Sequence, residues 1–249
     1  MRLKILFFIA FWGSFLWSEE IKIAVSANVS YAMDELKSEF NKIYPNIKVD
    51  IILGSTGKLT AQIKNGASYH ILMGANMKYP QSLYQDGFAI TKPAIYAQGS
   101  LAYLSHKPRD FSKGIALLKN SKIKTIAIAN PKTAPYGIAT VEALKNAKIY
   151  DNIKDRLIYG ESISQTVIYA LKASDIGIVA KSALYSNKMS KYQEGINWAT
   201  VDSTLYTPID QGIVILKEGQ DNSAVLSFYD FILSSKAQKI FEQFGYQLP

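Results

Sequence analysis

Strand-like and helix-like segments alternate along most of this chain, and the alternation limits the folds that it can adopt. Branched and apolar residues make up a first strand, IKIAVSA (21–27), and a second, IKVDIIL (47–53). Between them, SYAMDELKSEFNKIY (30–44) places its apolar residues at helical intervals. A predicted helix over 58–65 then precedes a third strand, YHILMGA (69–75). The pattern predicts βαβ units, in which helices cover both faces of a mostly parallel sheet.

The second half of the chain repeats this pattern. The predicted strands there cover 99–105, 123–130, 157–159, 175–180 and 211–217, and the predicted helices cover 137–148 and 163–171. Two amphipathic helices, separated near Ser234 and Ser235, end the chain. We therefore predict two α/β lobes joined by a hinge, with a ligand cleft between them. Lobe I comprises 19–97 plus 207–249, and lobe II comprises 98–206.

Residues 1–18 differ from the rest of the chain and predict a cleavable signal peptide. Arg2 and Lys4 precede an apolar run over 5–17, and the small residue Ser18 follows it. The run is shorter than an ordinary membrane-spanning helix, which disfavours the alternative of an uncleaved anchor. The chain contains no cysteine, which excludes disulfides, thiolate metal sites, thiol catalysis and a lipid-modified cysteine. We expect a protein that is exported to the periplasm.

The net charge of +8 allows an anionic partner but does not favour nucleic acid. The lysines are scattered singly, and no aromatic-rich nucleic-acid signature accompanies them. The charge is compatible with electrostatic help for a small anion and, equally, with the general composition of the organism's proteins. We expect no nucleic-acid partner.

Four predicted strand-to-helix junctions are rich in small neutral residues. They are 26–30 (SANVS), 54–58 (GSTGK), 135–137 (PYG) and 161–165 (ESISQ), two in each predicted lobe. The first backbone N–H groups of a helix lack intrahelical partners, and the helix dipole favours an anion beside them. At any single junction such residues are usually only helix caps. Junctions that converge from two facing lobes would instead form an anion site.

The third junction indicates how backbone alone can serve as the donor. The strand before it stops at residues 130–131, and the next helix opens with APYG. Pro135 suits the first turn of a helix, where its missing N–H is not needed. Gly137 would let the backbone approach a ligand closely. We expect the Tyr136 N–H to point into the cleft, with the ring as a wall.

No motif supplies catalytic machinery. The chain has no Gly-x-Ser-x-Gly elbow, the GSTGK segment does not fit the nucleotide P-loop pattern, and Ser55 has no general base near it in sequence. His70 and His106 do not have metal-ligand spacing, so we expect structural roles for both and no direct metal ligands. We predict a binding protein without a cofactor, with an exported enzyme on the same fold as the alternative.

Five segments, in order and in spacing, match a known family. They are IKIAVSANVSYAMDELKSEF, GSTGKLTAQIKNGA, IANPKTAPYGIATVEAL, ASDIGIVAKSAL and FYDFILSSKAQKIFEQFGY. On these segments the mature chain resembles the periplasmic molybdate-binding proteins of molybdate ABC transporters, in the type II solute-binding superfamily. The resemblance implies a receptor, expected to be a monomer, that binds molybdate and tungstate and delivers them to an inner-membrane permease. A tungstate-selective, sulfate or phosphate receptor remains an alternative.

The resemblance also implies which residues hold the oxyanion. These positions are Asn28, Thr56, Tyr136 and Ile163, with Ala27 and Ser55 as additional candidates. Tyr136 and Ile163 would act through their backbone N–H groups. Some family members have serine where Asn28 stands, so its side-chain or backbone role stays open. Ala180 stands where some members place a tyrosine ligand, and Tyr69-His70 replaces the usual Ala-Asp.

Overall fold

The computed structural model of the protein describes residues 19–248, so the predicted signal peptide, 1–18, lies outside the described residues. This described part contains ten strands and eight α-helices. The strands are β1 (Glu19–Ser26), β2 (Ile47–Gly54), β3 (Ile71–Met73), β4 (Ala94–Gly99), β5 (Leu101–Leu104), β6 (Ile126–Ala129), β7 (Leu157–Gly160), β8 (Ile176–Ala180), β9 (Trp198–Thr200) and β10 (Ile209–Ile215). The helices are α1 (Ser30–Ile43), α2 (Thr56–Lys64), α3 (Lys78–Gln85), α4 (Pro135–Asn146), α5 (Tyr150–Ile153), α6 (Ile163–Lys172), α7 (Ser223–Leu233) and α8 (Ser235–Gln243).

The first sheet has the strand order β2-β1-β3-β10-β4. β1 runs parallel to β2 and to β3, whereas β10 runs antiparallel to both β3 and β4. On one face, the sheet packs against α1, α7 and α8 through a cluster that contains Phe40, Phe228 and Phe241. On the other face, Leu59 of α2 and Leu83 of α3 pack against the sheet. The carboxyl ends of the three parallel strands therefore lie together at one edge.

The second sheet has the order β7-β6-β8-β5-β9. β6 lies parallel between β7 and β8, and β5 pairs antiparallel with β8 and β9. Residues of α4 pack against one face, and residues of α6 pack against the other. Both sheets thus have helices on both faces, which confirms the predicted two-lobed α/β fold.

The chain passes between the sheets at two places. β4 ends at Gly99 in the first sheet and β5 begins at Leu101 in the second. The strand predicted over 99–105 is therefore present as β5, but its predicted start falls in β4. The return crossing lies between β9 and β10, over residues 201–208. Ser100 separates the last residue of β4, in the first sheet, from the first strand of the chain in the second sheet.

Several elements differ from the sequence-based expectation. β4, β9, α3 and α5 were not predicted, because each is short and its apolar residues follow no clear period. Two helices begin earlier than predicted: α2 at Thr56 rather than at 58, and α4 at Pro135 rather than at 137. The earlier start of α2 moves Thr56 from a loop into a first helical turn, whereas Tyr136 lies in the helix opening that the APYG segment predicted. Within residues 19–248, no helix is long and apolar enough to cross a membrane.

Candidate anion-binding site

The four predicted junctions follow strands at the carboxyl edges of the two sheets. After β1, residues Ala27–Val29 form one turn of 3₁₀ helix that leads into α1. Ser55 precedes α2, and Ala134 precedes α4 with Pro135 in its first turn. Ser162 precedes α6, and its hydroxyl accepts a hydrogen bond from the Gln165 N–H. Each junction therefore presents a helix start to the space between the sheets.

Contacts between the two sheet units join these junctions to one another. They are Ser164 Oγ to the Ala27 carbonyl oxygen (2.8 Å), Gly57 N to the Thr133 carbonyl oxygen (2.9 Å), and the ion pair Lys58 Nζ to Glu161 Oε2 (2.9 Å). The first contact links the first junction to the fourth. The Gly57–Thr133 contact links the second junction to the loop just before the third, and the Lys58–Glu161 ion pair links the second junction to the fourth. The structure thus brings together junctions that are widely separated in sequence.

All six predicted site residues are buried between the two sheets. None is more than 4% exposed: Ala27, Asn28, Ser55, Thr56, Tyr136 and Ile163. Lys58 and Glu161 remain largely exposed and lie at the rim of the junction. A ligand held among the buried residues would be removed from water, and its charge would have to be met by hydrogen-bond donors.

Backbone donors come from the helix starts of the second sheet. Tyr136 is the second residue of α4 and Ile163 is the first residue of α6. N–H groups at these positions precede the first possible intrahelical hydrogen bond. In α4, the first N–H groups that bond back to Ala134 are those of Gly137 and Ile138. The Tyr136 and Ile163 N–H groups are therefore positioned to donate outside their own helices.

A hydroxyl donor comes from the first sheet. Thr56 Oγ1 accepts a hydrogen bond from the Ala75 N–H (3.0 Å) and lies 2.9 Å from Ser26 Oγ. Each of these two hydroxyls carries one proton, and the hydrogen bond between them uses only one of the two protons. The second proton is available to an acceptor in the site. Because both residues are almost fully buried, that acceptor is not bulk water.

The protein uses both protons of the Asn28 side-chain amide, whereas the amide oxygen, Oδ1, has no hydrogen-bond partner. Its Nδ2 donates to Gln211 Oε1 (2.8 Å) and to the Tyr246 hydroxyl (2.9 Å). The Tyr246 hydroxyl in turn donates to the Asn28 carbonyl oxygen (2.9 Å), so it must accept from the amide, and this fixes the amide orientation. Both amide protons are therefore used. Asn28 can donate to a ligand only through its backbone N–H.

Sequence reasoning missed these supporting residues. Gln211 lies beside a β-bulge in β10, and Tyr246 lies just beyond α8. Ser182, which follows β8, also donates to the Asn28 carbonyl oxygen (3.1 Å). All three lie more than a hundred residues from Asn28 along the chain. No local signal in the sequence could have connected them to it.

Unsatisfied polar atoms concentrate around the junctions. Among residues 19–248, five buried side-chain atoms have no hydrogen-bond partner: Asn28 Oδ1, Ser55 Oγ, Tyr103 OH, Thr133 Oγ1 and Tyr136 OH. Three of the five atoms belong to junction residues, and a fourth belongs to Thr133, whose carbonyl oxygen accepts from the Gly57 N–H. Buried polar atoms without partners are uncommon in folded proteins, and a cluster of them is typical of a site for a polar ligand.

The buried part of the site is electrically neutral. Burial, together with neighbouring tyrosines, raises the pKa of the Tyr136 hydroxyl well above its ordinary value, so the group stays protonated. The two arginines of the described residues lie elsewhere: Arg109 beside Asp175, and Arg156 donating to backbone carbonyls. The site therefore offers dipoles and neutral donors rather than a guanidinium.

Gly137 has a different role from the one expected. A Cβ atom on this residue would lie 2.8 Å from the carbonyl carbon of Ala129, and closer still to its oxygen. The glycine thus lets α4 pack directly against the end of β6, which is backbone of this protein rather than a ligand. Its contribution is to hold the Tyr136 N–H close to the edge of the sheet.

The histidines show no arrangement for metal binding. His70 Nδ1 accepts from the Lys22 N–H (2.9 Å) and so ties β1 to the start of β3. Burial lowers the pKa of this imidazole, consistent with its acceptor role. No group of three or more His, Cys, Asp or Glu residues within 19–248 has a geometry suited to a metal ion.

Comparison with known proteins agrees with this architecture. A family model described as bacterial extracellular solute-binding protein matches residues 21–247. The chain belongs to this family. The molybdate-binding protein ModA of Azotobacter vinelandii is 36% identical over 92% of this chain and 90% of its own length. ModA of Rhodobacter capsulatus is 31% identical over 91% and 88%.

A solved structure shows the same fold. The periplasmic molybdate-binding protein of Azotobacter vinelandii superposes with a TM-score of 0.84 and 29% identity, over 92% of this chain and 99% of that one. These relatives are named as binding proteins, which supports a solute-binding protein rather than an enzyme. The resemblance inferred from the sequence motifs is confirmed.

Proposed function

We propose that this solute-binding protein captures molybdate, and tungstate as well, and delivers it to the permease of an ABC importer in the inner membrane. The observation that carries the proposal is the meeting of four helix starts from two sheets around buried, uncharged donors. The names of the 31% and 36% identical relatives support molybdate as the solute. In this proposal the chain is exported by cleavage after residue 18 and acts in the periplasm as a monomer.

The proposed donors come from both sheets. They are the Thr56 hydroxyl and the backbone N–H groups of Asn28, Tyr136 and Ile163, with Ala27 adjoining the first turn and the buried Ser55 hydroxyl as a further donor. Neutral donors suit a transported dianion, because a ligand held by dipoles is released once those dipoles separate. The proposed assignment for Asn28 is the backbone N–H, since its side-chain protons are already used.

Binding would close the two proposed lobes, 19–97 plus 207–249 and 98–206, around the anion. The crossings at Ser100 and over 201–208 would act as the hinge. A ligand that contacts both lobes shifts the equilibrium toward the closed form, because only that form offers the full set of donors. Sulfate carries the same charge as molybdate, so rejection of sulfate would depend on cavity size and donor spacing.

Thermal melts of the mature, ligand-free protein test this proposal. Molybdate and tungstate at 100 times their dissociation constants should stabilise the protein by about 2.7 kcal/mol, which raises Tm by about 5–10 °C for a chain of this size. Sulfate and phosphate at the same concentration should raise Tm by less than about 1 °C. A larger shift with sulfate or phosphate would assign the site to that anion, and no shift with any of the four would refute oxyanion binding.

Substituting Tyr136 with phenylalanine should leave molybdate affinity within about twofold of the wild type. The Tyr136 hydroxyl is buried and has no partner, and its removal keeps the backbone N–H in place. Removing an unsatisfied buried hydroxyl is close to neutral for stability. Titration calorimetry of the wild type and the variant measures this directly. A loss of more than tenfold would mean that the hydroxyl, rather than the N–H, holds the anion.

A further inference from the structure

Ser26 ends β1 beneath the candidate site, and its hydroxyl has an unusual partner. The residue is 3% exposed and stands at the cap position of the following 3₁₀ turn, yet its side chain makes no capping hydrogen bond. Within the described residues its hydroxyl instead pairs with Thr56 Oγ1, at 2.9 Å. A buried serine at a helix start usually caps that helix, so this orientation requires another explanation.

The sheet register places three groups around the Thr56 hydroxyl. Ser26 is opposite Gly54 in the β1–β2 pair, and Thr56 follows Gly54 by two residues. Val25 is opposite Met73 in the β1–β3 pair, and Ala75 follows Met73 by two residues. The Thr56 hydroxyl therefore lies over the end of β1, between Ser26 and the Ala75 N–H. Gly74 borders it as well, since a Cβ there would lie 3.0 Å from the Thr56 methyl group.

Counting protons gives the roles of the two hydroxyls. The Ala75 N–H already occupies one acceptor position of Thr56 Oγ1. If Ser26 donates to the other position, Thr56 has both acceptor positions filled, and its own proton has to leave the pair. A hydroxyl that accepts two hydrogen bonds is polarised and becomes a stronger donor. In the reverse arrangement the free proton would belong to Ser26 instead, so an anion bound by Thr56, as proposed above, favours the arrangement in which Ser26 donates.

We propose that Ser26 is a positioning residue that donates to Thr56 Oγ1 and so directs the Thr56 proton at the bound oxyanion. The proposal rests on the proposed function and assigns a role to a residue outside the expected ligand set. Ser26 itself does not touch the anion. Its effect on affinity therefore depends on the presence of the Thr56 hydroxyl.

A double-mutant cycle with molybdate, measured by titration calorimetry, tests this dependence. Ser26→Ala should weaken binding about three- to tenfold, the range expected for one hydrogen bond. In a Thr56→Val background, the same Ser26→Ala change should alter affinity by less than about 1.5-fold. Ser26→Cys, whose sulfur is larger than the serine oxygen and donates only weakly, should also weaken binding. Ser30→Ala is the matched control, because Ser30 lies in the same turn and donates to the Ala27 carbonyl oxygen instead.

The outcomes separate this proposal from the function on which it rests. Unchanged affinity in both Ser26 variants, with a wild type that binds molybdate, would refute the positioning role alone. An equal loss from Ser26→Ala in the wild-type and Thr56→Val backgrounds would also refute it, because Ser26 would then act independently of Thr56. A wild type that does not bind molybdate would overturn both proposals. Tm of each ligand-free variant shows whether a loss of affinity comes from misfolding.

Discussion

Thr56→Val should weaken molybdate binding about ten- to hundredfold, because a hydrogen bond from a buried hydroxyl to a charged group contributes about 1.5–3 kcal/mol. Valine keeps the shape of threonine and removes the proton that the pair with Ser26 leaves free. It also removes the acceptor of the buried Ala75 N–H, so the ligand-free protein should lose some stability as well. Titration calorimetry and thermal melts measure the two effects separately.

Two control variants isolate the hydroxyl. Thr56→Ser keeps the oxygen and its proton and should bind within about threefold of the wild type, since only a methyl group is lost. Thr60→Val makes the same chemical change one turn later in α2, where the hydroxyl donates to the Thr56 carbonyl oxygen. This variant should retain most of the affinity. If Thr56→Val binds as well as Thr56→Ser does, the hydroxyl has no part in binding, and Ser55 becomes the side-chain donor to test.

Gly137→Ala should destabilise the protein by about 3 kcal/mol, a typical cost of overpacking against rigid groups. The added Cβ would collide with the Ala129 carbonyl group, and backbone of both α4 and β6 would have to move. For a chain of this length, such a loss lowers Tm by about 6–12 °C. Molybdate affinity should fall too, because the shift of α4 displaces the Tyr136 N–H. Thermal melts with and without molybdate test both statements.

The matched control for this prediction is Gly54→Ala. A Cβ there would meet the Leu59 side chain, with Cγ and Cδ2 both at 3.1 Å, and a side chain can adjust more easily than backbone. Gly54→Ala should therefore cost less than about 1 kcal/mol. Equal stability of the two variants would show that α4 does not depend on close packing at Gly137. The role of Gly137 would then be the one expected from sequence, which is to let the backbone approach a ligand closely.

The architecture could be predicted from local sequence patterns. Period-two and period-3.6 apolar spacing, together with helix start residues, indicated the βαβ units of both sheets, and the fold has them. The short elements β4, β9, α3 and α5 were not predicted, because three to eight residues carry too little periodic signal. The sequence prediction divided the chain between residues 97 and 98, close to the crossing at Ser100, but it did not predict β4, the strand before that crossing.

The sequence by itself determined the kind of site: small neutral residues and helix starts after parallel strands, where backbone N–H groups favour an anion. Only the tertiary structure decided how those groups are used. The side-chain amide of Asn28 donates both of its protons to Gln211 and Tyr246. The Thr56 hydroxyl is hydrogen-bonded to the Ser26 hydroxyl. Gly137 packs directly against the Ala129 carbonyl group. Each of these contacts forms within one of the two sheet units and depends on how the strands and helices of that unit pack together. The contacts of Asn28 and Thr56 join residues that are 30 or more positions apart along the chain, and the contact of Gly137 joins a helix start to the end of the preceding strand. Apolar periodicity encodes neither kind of contact.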